Sequence, residues 1–213
     1  MVLAAAALLG AVVGEILRRV VVRGAHRLEE EQDLPRRSAW LLVPGTALSW
    51  AWITSAWWPE NPWLLGALLL LTLPLLWLAA VDADVERLPD RVTLPLLLVV
   101  AAAITLVGLV EGGAGDIGRA LLAGLALGAF YGLLVLVGRG AMGGGDVKLA
   151  PSLGMLLGYA SWAHVILGTV ATFLGASAFG VALVLLRRAG RTSMVAFGPH
   201  MIAATLLLLG FPA

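Results

Sequence analysis

The chain has 213 residues, 61% of them hydrophobic and only 13% charged. Soluble domains run near 45–50% apolar and about 25% charged, so this composition belongs to a membrane protein. A net charge of +1 with no basic-aromatic patch gives no reason to expect a nucleic-acid partner, and the absence of cysteine excludes disulfides and thiolate zinc sites. His26, His164 and His200 are scattered without metal-ligand spacing, so neither a metal nor a cofactor is expected.

Residues 2–17 are apolar apart from Glu15, and Arg18, Arg19, Arg23 and Arg27 follow. A cleaved signal peptide places its positive charge ahead of the apolar run, so this stretch reads as a first span with its N-terminus outside. Residues 28–37 form a short charged loop. A second span covers 38–58, with tryptophans near its outer end, and 57–62 is a tight outside turn. The third span, 63–81, carries no charge and matches the roughly 20 residues that cross about 30 Å of hydrocarbon. A polar turn at 82–90 leads to a fourth span at 92–110, an outer loop at 111–116 and a fifth span at 117–137. A glycine-aspartate loop at 138–148 follows. The segments 149–163 and 164–186 read as sixth and seventh spans, 187–196 as a basic loop, and 197–211 as a short eighth span.

Backbone groups in lipid must be satisfied within the spanning segment, so the predicted fold is all-α, a polytopic bundle of about eight transmembrane helices. Of the 14 Lys and Arg residues, only Arg119 falls near an outer end in this topology. The positive-inside rule therefore orients the chain with its N-terminus outside. A two-span region at 1–62, with a short loop lacking cysteines, precedes a six-span core at 63–213.

Chemistry is expected at Gly143-Gly144-Gly145-Asp146-Val147-Lys148. Successive glycines let another chain approach the backbone closely, because no Cβ stands in the way. The predicted topology puts Asp146 at the same face as Asp82, each where a span meets the interface, and ionisable residues at such depth point to function. Two carboxylates about 4 Å apart at an effective dielectric of ~20 repel by roughly 4 kcal/mol, or about three pKa units. One then keeps a proton while the other stays ionised, a pair able to activate water and to protonate a departing amide. Asp84 points roughly 200° away from Asp82 on a helix and is expected to turn into water. Glu86 lies one turn on from Asp82 as a supporting group. Gly113-Ala114-Gly115-Asp116 repeats the glycine-aspartate pattern on the outer side, where Asp116 is expected to cap the fifth span. Phe197-Gly198-Pro199 is either a plain helix start or backbone lining a cavity. Glu15 either snorkels to the interface or faces the bundle.

Asp82 with Leu88-Pro89-Asp90 and Thr93-Leu94-Pro95, then Gly143 to Lys148, then Phe197-Gly198-Pro199, resembles the type IV prepilin peptidases, membrane aspartic proteases of the glycine-x-glycine-aspartate class. The resemblance covers residues 63–211. It implies Asp82 and Asp146 as catalytic acids, with Gly143, Gly144, Gly145, Lys148, Glu86, Pro89, Asp90, Phe197, Gly198 and Pro199 binding substrate or supporting the site. It further implies an enzyme of the bacterial inner membrane that removes the basic leader of type IV prepilins or pseudopilins on the cytoplasmic side, just after a glycine. Many family members carry zinc-binding cysteines in a larger loop after the first span and methylate the new terminus with S-adenosylmethionine. Here that loop is short (18–37) and has no cysteine, so methylation is not counted among the expected activities. Another glycine-aspartate intramembrane protease is disfavoured because Val81, rather than tyrosine, precedes Asp82. A small proton-coupled transporter would favour acids near the bilayer centre, whereas these lie at one edge.

Overall fold

The computed structural model describes residues 1–35, 38–138, 143–186 and 196–212. Among the described residues there are eight α-helices, one 3₁₀ turn at Glu29–Glu31 and no strand. The helices are α1 (Val2–Val22), α2 (Leu42–Trp57), α3 (Pro62–Val85), α4 (Asp90–Glu111), α5 (Ala114–Val137), α6 (Gly144–Ala160), α7 (Trp162–Leu185) and α8 (Gly198–Leu208). Four are long and apolar enough to cross a membrane: α3, α4, α5 from Gly115 onward, and α7. In α1, Glu15 is neutralised on its own helix, bonded to Arg18 at 2.7 and 2.8 Å and to Arg19 at 2.7 Å.

The expected elements are all present, with shifts at the ends that have local causes. The second helix begins at Leu42 rather than at 38. The third runs a turn beyond the expected 81, so Asp82 and Asp84 are helical rather than part of a loop. It stops at Glu86, whose left-handed backbone (φ 52°, ψ 38°) ends the helix while its N–H still donates to the Asp82 carbonyl at 2.8 Å. Residues 144–148, expected as loop, form the first turn of α6, which ends at Ala160 rather than at 163. The fifth helix starts at Ala114 with Gly113 as its N-cap, so Asp116 does not cap it. Asp116 lies inside the first turn, bridged to Arg119 at 2.8 Å, where its charge still suits the helix dipole. The basic loop expected at 187–196 falls outside the described residues except for Ala196, as do 139–142 of the glycine-aspartate loop.

Small residues set the helix pairing. Without a hydrophobic drive between helices in lipid, close backbone approach supplies the packing. Gly10 and Gly14, four apart on α1, face Thr46 and Leu42 of α2 so closely that added Cβ atoms would lie 2.9 and 2.6 Å from those carbonyl oxygens. Gly154 and Gly158 of α6 interlock with Ala120, Ala123, Gly124 and Leu127 of α5 in the same way, and Gly124 and Gly128 receive Pro151 and Met155 in return. Helix α6 is consequently buried nearly all round from Leu149 to Ala160.

The C-terminal ends of α6 and α8 are anchored by side chains that satisfy their last carbonyls. Arg119 donates to Gly158 O at 2.7 Å, to Ala160 O at 2.9 Å, and to Tyr159 O. The indoles of Trp52 and Trp57 donate to Leu207 O at 2.9 Å and Leu209 O at 2.7 Å. Both helices are thereby fixed at one end, and their N-termini project toward the end of α3.

The interlocked α5–α6 pair predicts a sharp contrast between two glycines. A Cβ at Gly158 would sit 2.3 Å from the Ala123 Cβ and 3.2 Å from the Ala120 Cα, whereas one at Gly118 meets nothing within 4 Å. Gly158→Ala should cost about 1–3 kcal/mol as overpacking. Gly118→Ala should be neutral or gain up to about 1 kcal/mol of helix propensity. Thermal unfolding of the detergent-solubilised variants measures both.

Candidate active site

The C-terminus of α3 and the N-termini of α4, α6 and α8 meet at one cavity of about 1420 Å³. Asp82 and Asp146 both line it, although each residue is only 5–6% exposed. The two acids, far apart in the chain, meet across Leu88. A Cβ on Gly145 would lie 2.9 Å from the Leu88 Cβ, and one on Gly198 would lie 3.4 Å from the Leu88 Cδ1. Leu88 therefore sits between two glycines, one next to each acid, and is itself buried. A side chain at Gly145 would push on it, whereas one at Gly198 would press first on Asp82 Oδ2, 2.8 Å away.

Asp82 is held from α8. The Gly198 N–H donates to Asp82 Oδ2 at 3.1 Å, and a Cβ at Gly198 would stand 2.8 Å from the same oxygen. This N–H is one of the orphan donors of a helix start, and the helix dipole favours an anion there. Phe197-Gly198-Pro199 is a helix start with proline in its first turn, and Phe197 of the three lines the cavity. Asp146 is the third residue of α6, its N–H donating to Gly143 O at 3.1 Å with Gly143 as the N-cap. Gly113 and Asp116 repeat that backbone arrangement at the start of α5 (N–H to O, 3.0 Å). Surroundings separate the two copies: Asp116 lies in the first turn of α5 and carries its own ion pair, away from the cavity that Asp146 lines.

The supporting residues divide. Gly145, Glu86, Pro89, Asp90 and Phe197 line the cavity, as do the exposed Gly143 and Gly144. Pro89 is the N-cap of α4, its carbonyl accepting from the Thr93 hydroxyl at 3.1 Å. Lys148 also lines the cavity, and its Nζ bonds both carboxylate oxygens of Asp90 at 2.7 Å in an exposed pair. Pro199 occupies the first turn of α8. Among the described residues no cluster of side chains could hold a metal ion.

Asp84 departs from expectation. Instead of turning into water, its side chain is 7% exposed and accepts from Arg27 Nε at 2.9 Å and Nη2 at 2.8 Å, with His26 Nε2 at 3.0 Å. Sequence reasoning missed it because the segment after α1 has no periodicity to announce where it folds. The aromatic cluster of Tyr131, Phe173 and Phe197, with centroids 5.3–6.1 Å apart, was also unread; it joins α5, α7 and the start of α8. Tyr131 is 1% exposed and within electrostatic reach of Asp146.

Residues 68–185 match the type IV leader peptidase family. The chain belongs to this family. It is 38% identical over 144 residues to a prepilin leader peptidase/N-methyltransferase of Aeromonas salmonicida, covering 67% of this chain and 48% of that protein. Proteins of the same description from Pseudomonas aeruginosa (34% over 155 residues; 72% and 52% covered) and Stutzerimonas stutzeri (33% over 150 residues; 70% and 50%) are also similar. The chain spans about half the length of these relatives. No solved structure matches it. The matched family region includes Asp82, Leu88 and Asp146 and stops short of Gly198.

The segment after α1 carries a pH dependence of its own. Arg87 grips the Glu31 carboxylate at 2.9 and 3.0 Å and holds its pKa below the usual glutamate value of 4.5. A depressed carboxylate stabilises the fold fully above its unfolded pKa, and that contribution is lost as pH falls through the lower folded value. Thermal midpoints measured from pH 7 downward should therefore hold until about pH 4.5 and then decline. Glu31→Gln should lower the plateau and flatten part of that acid limb.

Proposed function

We propose that the chain is a membrane-embedded aspartic endopeptidase that removes the basic leader from type IV prepilins or pseudopilins. Cleavage takes place at the cytoplasmic face of the bacterial inner membrane, after a glycine. The N-terminus lies outside, and residues 63–213 form the peptidase core beside a two-span region at 1–62. The observation that carries this reading is the placement of Asp82 and Asp146 on one cavity, either side of Leu88.

The chemistry follows from two acids in a poorly solvated setting. Like charges so placed cannot both ionise readily, so the pair holds one proton between them. The ionised member takes a proton from a water that attacks the scissile carbonyl, while the protonated member donates its own to the carbonyl oxygen. The proton taken from water then passes to the leaving amide nitrogen as the C–N bond breaks, and the other acid recovers its proton from the gem-diol. Backbone without side chains at Gly143 and Gly144, exposed on the cavity wall, leaves room for an extended peptide to lie against it. No metal and no cofactor is required for this sequence of proton transfers. Methylation, which the relatives' names include, is not part of the proposal.

Asp82→Asn and Asp146→Asn should each leave a co-expressed prepilin uncut, while Asp116→Asn continues to cut it. Gly198→Ala keeps both acids but pushes against Asp82 Oδ2, and should slow cleavage on the order of 10²-fold, as small misplacements at a reacting centre do. Immunoblots of precursor and mature pilin read all four. Cleavage surviving in Asp146→Asn but lost in Asp116→Asn would overturn the assignment.

A further inference from the structure

Residues 23–35 have little hydrophobic reason to fold. Only Gly24 and Arg27 in that segment are buried, and Glu29, Glu30 and Asp33 are exposed. Arg27 supplies the reason. Its five guanidinium N–H donors are all used: two on Asp84, and three on the carbonyls of Leu34 (2.6 Å), Pro35 (3.1 Å) and Glu31 (3.3 Å). The segment wraps round this side chain, which is 2% exposed because its own loop covers it, not because it lies deep in the bundle.

A second arginine runs the other way. Arg87, just after α3, donates to both oxygens of Glu31 and to the His26 carbonyl at 3.1 Å. Each side thus contributes one arginine and one acid: Arg27 and Glu31 from the loop, Asp84 and Arg87 from the end of α3. Bidentate pairs of this kind fix orientation as well as distance. Asp84 lies two residues after Asp82, and Arg87 immediately precedes Leu88. The reciprocal clasp therefore grips the turn that carries the first acid and the leucine spacer on both sides of Glu86. His26, Arg27 and Leu28 at the same time line the cavity.

We propose that Arg27 and Arg87 are positioning residues for cleavage, holding the 82–88 turn in register with Asp146 and fastening residues 24–35 as a wall of the cavity. The proposal rests on the peptidase reading above. It acts on the chemical step: the clasp touches neither the scissile bond nor the acids and works through the backbone between them.

The test is a charge exchange. Glu31→Arg alone and Arg87→Glu alone should each lower kcat on the order of 10²-fold with KM changed only about threefold, and should speed hydrogen exchange of residues 24–35. The double variant E31R/R87E restores the pair with its charges interchanged, and should return both kcat and exchange protection to within about threefold of wild type. Arg27→Lys keeps the charge but loses the fork and most of the carbonyl contacts, so it should remain slow. Single variants with wild-type kcat, or a double variant as slow as the singles, would overturn the proposal. If the single variants do not accumulate, recovery of folded, active protein in the double variant decides in favour and continued loss decides against. Should wild type leave prepilin uncut, the peptidase reading fails, and hydrogen exchange across the same three variants then decides the clasp alone.

Discussion

The contact of Leu88 with the bare backbones of Gly145 and Gly198 is the constraint from which the site follows. The Leu88 side chain fills the space left by the missing Cβ of Gly145 and reaches contact distance of Gly198, where Asp82 Oδ2 takes the place of a Cβ, and each glycine adjoins or bonds an acid. A leucine alone would not hold that geometry. Helix α6 is locked lengthwise by its glycines against α5, and α6 and α8 are tied at their far ends by Arg119 and by the indoles of Trp52 and Trp57. The rigid frame thus carries the N-termini of α6 and α8 to a common point, and the end of α3 meets them there.

Charge is distributed to match. Asp82 accepts from the N-terminal N–H of α8, and Asp146 sits in the first turn of α6, so each acid occupies a place where a helix dipole tolerates an anion. Neither has an arginine or lysine ion pair among the described residues; three of the cations that line the cavity are committed elsewhere, Lys148 to Asp90, Arg27 to Asp84, Arg87 to Glu31. On the proposed reading that economy matters, because a cation paired with either acid would hold it ionised and remove the shared proton.

Much of this was legible in the sequence. Apolar runs separated by short polar turns gave eight helices, and the two acids stood out because each interrupts or borders such a run. Topology distinguished Asp146 from Asp116, although the local backbone at the two positions turned out alike. Asp84 was misread because its partners lie 57 and 58 residues away in an irregular segment, and hydrophobic periodicity says nothing about ion pairs. The helix ends were misplaced for a similar reason: glycine caps at Gly113 and Gly143 leave no polar side-chain signature for a helix start. The four-residue glycine spacings on α1, α5 and α6 were present in the sequence all along, and would have paired those helices had they been read as packing faces.

On the proposed reading Asp82 and Asp146 work as one proton-sharing unit. The dependence of prepilin cleavage on pH, measured as kcat/KM on purified wild-type protein, tests it most directly. A unit that needs one acid protonated and the other ionised gives a rate that falls on both sides of an optimum. A rate that levels off on either side, with no second limb before the protein unfolds, would contradict the pairing.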